Sequence, residues 1–97
     1  MTELDKLEEY LKKNNIPYTR VDEEARGNEW RMRHQIMVPE AYPNTEWDAI
    51  CHKGSYGYEQ GLLEIMGDLV DEIKDGDTVV GYLTAEDVVK RIEERRK

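Results

Sequence analysis

The sequence predicts an α+β fold: an N-terminal helix, a three-stranded antiparallel meander, then two helices packed on one sheet face, all within a single small domain over residues 1–97. Three observations predict it. Apolar residues recur at helical spacing near both ends, period-two alternation fills the stretch from Glu29 to Val38, and the extended stretches are joined by links too short for a parallel crossover. A chain of 97 residues supplies one modest core and no second one.

Each element has its own signal. Thr2 is placed to cap a first helix in which Leu4, Leu7 and Leu11 share one face and Glu8 pairs with Lys12. Asn14-Asn15 and Pro17 end it, and Tyr18 to Asp22 then reads as a short strand. Ala25 to Asn28 is a turn. Between Glu29 and Val38, Trp30, Met32, His34, Ile36 and Val38 fall on one face, with Arg31, Arg33, Gln35 and Met37 on the other. Pro39 closes that strand, Glu40 to Thr45 is a loop, and a third strand is expected around Glu46 to His52. Leu62, Leu63, Ile65, Met66, Leu69, Val70 and Ile73 fit helical spacing, although Gly61 and Gly67 weaken that helix. Thr78 to Leu83 reads as an extended linker in preference to an edge strand. Thr84 with Asp87 then forms a box-like cap, Leu83 is placed to staple against Val88, and the last helix buries Val88, Val89 and Ile92.

Charge narrows the partners. A formal net charge of −8 opposes affinity for nucleic acid or anionic membrane, since both need cations to meet phosphate, and it favours a basic protein partner or simply serves solubility. The excess is local: seven acids between Glu59 and Asp77 face only Lys74, whereas the last helix ends in Arg95-Arg96-Lys97. One cysteine cannot form an internal disulfide, and no window approaches the ~20 apolar residues of a membrane span, so a cytoplasmic protein is expected. The thin core also invites completion by a second copy, so a homodimer is a further expectation.

The densest chemistry lies between Trp47 and Gly61, which holds the only cysteine, one of two histidines, two tyrosines and three glycines. Gly54-Ser-Tyr-Gly-Tyr-Glu-Gln-Gly61 has neither phosphate-binding glycine pattern, and Glu59 would repel a phosphate. Its better reading is a protein-recognition loop in which Tyr56 and Tyr58 supply amphipathic contact area, flanked by His52, Lys53 and Glu59. The bland reading is that one or both rings close the sheet edge.

Two other constellations compete with that loop. Cys51 with a histidine suggests thiol chemistry; His52 is on the wrong face of a strand, and His34 or Gln35 lies across from Cys51 depending on register. Arg20, Arg31 and Arg33 would form a nucleic-acid-binding strip on one sheet face, unless Asp22 and Glu29 neutralise them. His34, Cys51, His52 and Asp48 have no metal-ligand spacing, and no cofactor motif is present, so no metal or cofactor is expected.

The element order is superficially similar to a double-stranded-RNA-binding domain, but Tyr58-Glu-Gln-Gly61 is acidic where that family needs lysines. It is also similar to the core of restriction-like nucleases, yet Glu46-Trp-Asp48 lacks their lysine. Trp47-Asp-Ala-Ile-Cys-His52, Gly54-Ser-Tyr-Gly-Tyr58, Gly61-Leu-Leu-Glu-Ile65 and Gly81-Tyr-Leu-Thr-Ala-Glu-Asp-Val88 together resemble small proteins of phages and prophages in Gram-positive bacteria. That resemblance implies context and no mechanism: a phage accessory factor acting on a host or phage protein. From the residues themselves, the expectation is a non-enzymatic protein-interaction module.

Overall fold

The computed structural model describes residues 1–23 and 33–96. Among these residues the α-helices and strands follow in the order α1 (Glu3–Lys13), β1 (Thr19–Glu23), β2 (Arg33–Val38), β3 (Trp47–Ile50), β4 (Leu63–Gly67), α2 (Glu72–Asp75), β5 (Val79–Leu83) and α3 (Ala85–Arg95). The five strands form one antiparallel sheet in sequence order, β1-β2-β3-β4-β5. The α+β class and the antiparallel meander stand, but among the described residues the meander has five strands and not three. The predicted turn at 25–28 and the start of the predicted second strand lie outside the described residues.

Both long helices begin as the sequence requires. Thr2 and Thr84 each accept from the backbone N–H three residues on, while Asp5 and Asp87 return a bond to the cap's own N–H. These reciprocal bonds satisfy N–H groups that a helix start leaves without partners. Leu4, Leu7 and Leu11 of α1 and Val88 and Ile92 of α3 then pack over Ile36, Val38, Trp47, Ala49, Leu63 and Ile65. Each fully buried aliphatic side chain contributes roughly 1.5–3 kcal/mol relative to exposure.

The long helix expected after Gly61 is replaced by a strand, a turn and one helical turn. Leu63 and Ile65 point into the core, and Glu64 is buried on the opposite face, so the true pattern has period two with an acid in a buried position. Gly67 ends β4 at φ +95°, where an added Cβ would lie 2.9 Å from the Cα of Trp47. A continuing helix cannot pass that point. The stretch expected to be a linker is β5, paired with Leu63, Ile65 and Met66 across a register shift.

Both long helices cover the same sheet face. The other face carries Val21, Arg33, Gln35, Met37, Asp48, Ile50, Glu64 and Met66. It is not uniformly open: Met37 is buried and Met66 is exposed.

Candidate functional site

The loop from Cys51 to Leu62 is held by its own backbone before any ring is placed. Ser55 closes the turn after β3, its Oγ donating to the His52 carbonyl at 2.7 Å and accepting from the His52 N–H at 3.1 Å. A single 3-10 turn, Tyr58–Gln60, follows between Gly57 and Gly61. Tyr56 is fixed from two sides. Its N–H donates to Glu64 Oε1 at 3.0 Å, and its carbonyl accepts from the Tyr82 N–H at 3.2 Å. The Glu64 carboxylate thus has a backbone donor, which offsets part of the cost of burying it.

These bonds bring two tyrosines from distant parts of the chain together. The rings of Tyr56 and Tyr82 are stacked, with centroids 6.5 Å apart and planes at 27°. They remain 55% and 59% exposed. Tyr82 sits in the left-handed region at φ +60°, costly for a residue with a Cβ. Gly81 makes the approach feasible, because any Cβ there would occupy the space of the Tyr56 Cβ. The tyrosine pair is therefore built into the fold.

The other proposed contact residues divide between two sides of the loop. Tyr58 is half-buried and lines a groove of about 820 Å³ with Met1, Leu4, His34 and Cys51. Lys53 and Glu59 are exposed. His52 is half-buried, and among the described residues its buried Nδ1 has no hydrogen-bond partner. Burial pushes its pKa down, against the opposing effect of Glu64. Sequence reading paired Tyr56 with Tyr58, whereas the structure pairs it with Tyr82. The available signal was Gly81 inside an otherwise apolar strand, which marks a close backbone approach.

Register settles which residue faces Cys51. The Cys51 N–H donates to the His34 carbonyl at 3.0 Å, continuing the Gln35 to Ile50 pairing, and His34 stands opposite Asp22 on β1. His34 Nδ1 lies 2.7 Å from Asp22 Oδ1. Asp22, His34 and Cys51 therefore run in a row across three strands on the rim of the 820 Å³ groove. Burial pushes the Cys51 thiol up, which disfavours an activated thiolate.

The arginines do not form one strip. Arg20 lies on the helix-covered face, bound to Asp5 at 2.8 Å, Glu8 at 3.1 Å and Asp22 at 2.9 Å. Arg33 lies on the other face, donating to Gln35 Oε1 at 2.7 Å. Arg31 is outside the described residues. Gln35 in turn donates to Asp48 Oδ2 at 2.7 Å. Burial raises the Asp48 pKa despite that bond. Among the described residues, no three His, Cys, Asp or Glu side chains are placed to hold a metal ion.

No family model, curated protein or solved structure matches this chain. Among the described residues, no helix is long and apolar enough to cross a membrane. The functional reading therefore rests on the geometry.

Proposed function

We propose that this chain is a non-enzymatic protein-interaction module whose contact surface centres on Tyr56 and Tyr82. One observation carries the proposal: two exposed tyrosines are stacked at the cost of a left-handed backbone at Tyr82. Strain of that kind persists where surrounding structure over-determines it, and such positions cluster at functional sites. Tyrosine suits the role because it offers a large apolar surface, a hydrogen-bonding tip and few rotatable bonds. Met66, 51% exposed, stands two residues after Glu64 on the far face of β4. The resemblance to phage and prophage proteins adds a context to this reading, a partner encoded by the host or by the phage.

Affinity capture with the native chain and with a folded Tyr56→Ala/Tyr82→Ala double variant tests the proposal. A specific protein retained by the native chain and lost by the variant is expected, with affinity falling by about tenfold or more if the pair is a hot spot. Equal capture by both would remove the tyrosine pair from the interface.

A thiol-dependent enzyme is the second reading, favoured by the row Asp22, His34 and Cys51. The raised thiol pKa weighs against it. Iodoacetamide is expected to alkylate native Cys51 about tenfold or more slowly than in the urea-unfolded chain. Faster alkylation in the native state would favour the enzyme.

A further inference from the structure

Among the described residues β5 is the last strand of the sheet, and one of its backbone edges faces no other strand of them. Among the described residues, no loop or helix backbone hydrogen-bonds to Val79, Val80 or Gly81. The opposite edge strand, β1, carries Arg20, Asp22 and Glu23, charges of the kind that protect an edge from pairing. Thr78 to Leu83 carries no charge and no proline. At its far end Tyr82 turns out of the ladder and joins Tyr56, so a strand laid along Thr78 to Gly81 would finish against the two rings.

The charge around this edge indicates what would lie there. Asp77 is exposed at its start and Glu86 at its end. Beside it, a cleft of about 960 Å³ between residues 68–75 and α3 reaches Leu83 and is lined by six acidic against four basic side chains. One of those bases, Arg91, is already held by both carboxylate oxygens of Asp75, at 2.9 and 3.1 Å. Self-pairing is disfavoured. Two antiparallel copies paired along Thr78 to Gly81 would set Asp77 of each against Tyr82 of the other, bringing together two acidic surfaces in chains of net charge −8.

We propose that the free edge of β5 accepts an extended, lysine- or arginine-flanked segment of a protein partner as a sixth strand, with Tyr56 and Tyr82 closing one end of the site. The proposal rests on the interaction-module reading and specifies its mode. Main-chain hydrogen bonds supply affinity in such strand addition, and the flanking charges and side-chain contacts supply selection.

The probe is a random ten-residue peptide library selected against the full chain, followed by synthesis of the most enriched peptide. Enrichment of alternating β-branched residues flanked by lysine or arginine is expected. Amide chemical-shift changes in the ¹⁵N-labelled chain should centre on Thr78 to Gly81. N-methylation of every second peptide residue should abolish binding in one phase and spare it in the other, because only alternate N–H groups face the edge. Exchanging the peptide's cations for glutamates should weaken binding about tenfold or more.

Absence of enrichment would overturn the proposal, as would a peptide indifferent to N-methylation or shift changes at the tyrosines alone. Cross-linking that finds two copies joined through β5 would overturn it in favour of self-association. The tyrosine-dependent capture experiment is scored separately, so the interaction module can survive failure of strand addition.

Discussion

Asp48 and Asp5 show how the same side chain acts in opposite directions at two positions. At Asp5 the Thr2 backbone N–H, and then Arg20, hold the carboxyl down to about 2. Its contribution to stability is present above the unfolded-state value and is lost as pH falls through about 2. At Asp48 burial raises the pKa, so the folded chain binds the proton more tightly than the unfolded chain. Stability at this position is greatest below the unfolded-state value and declines as pH rises through the folded value. An Asp48→Asn variant keeps an oxygen for Gln35 and removes the buried charge. Urea titrations at pH 4 to 8 should show it gaining on the native chain as pH rises; a difference independent of pH would refute the assignment.

Legibility followed the local strength of each element. The two capping boxes, the leucine face of α1 and the alternation of Arg33 to Val38 state their structure within a few residues, and the structure has them. β4 was hidden because its outward position, Glu64, is buried under the Tyr56 loop, while Leu62, Leu69 and Ile73 by chance extend its apolar residues at helical spacing. Ile73 is in fact 95% exposed. β5 was hidden because Gly81 and the left-handed Tyr82 read locally as linker signals, although their reason is contact with a loop some twenty-five residues earlier in the chain. The candidate site was half-legible on the same grounds: Tyr56 stood out in its glycine loop, and its partner did not. The end of β4 makes a direct test. Gly67→Ala adds a Cβ against the Trp47 Cα and imposes the left-handed region on a residue that resists it, so urea unfolding should register a loss of about 1–3 kcal/mol. A neutral substitution would mean that the strand does not end in this way.

In the whole molecule, consecutive strands are neighbours, but the helix layer is closed by elements from opposite ends of the sequence. Glu3 Oε1 accepts from the Ala85 N–H at 2.8 Å, a bond between residues 82 apart. Glu3 therefore tethers the start of α3 to α1 while also pairing with Lys6. Its pKa is lowered, first by the Lys6 side chain and then by the Ala85 N–H, consistent with a carboxylate used in its charged form. Glu3→Gln keeps an acceptor and removes the charge, whereas Glu3→Ala removes both. The alanine variant should lose about 1 kcal/mol in urea unfolding and the glutamine variant less. Equal losses would show that the acceptor at Ala85 does not matter.

The meeting of α1 with α3 sets an order on biosynthesis. Leu4, Leu7 and Leu11 leave the ribosome well before Val88 and Ile92, which share their core cluster. The strands can pair one after another as they emerge, whereas the apolar side of α1 must wait for α3. During that interval the nascent chain presents leucines that later become buried, and slow translation through residues 85–95 would prolong its exposure to chaperones.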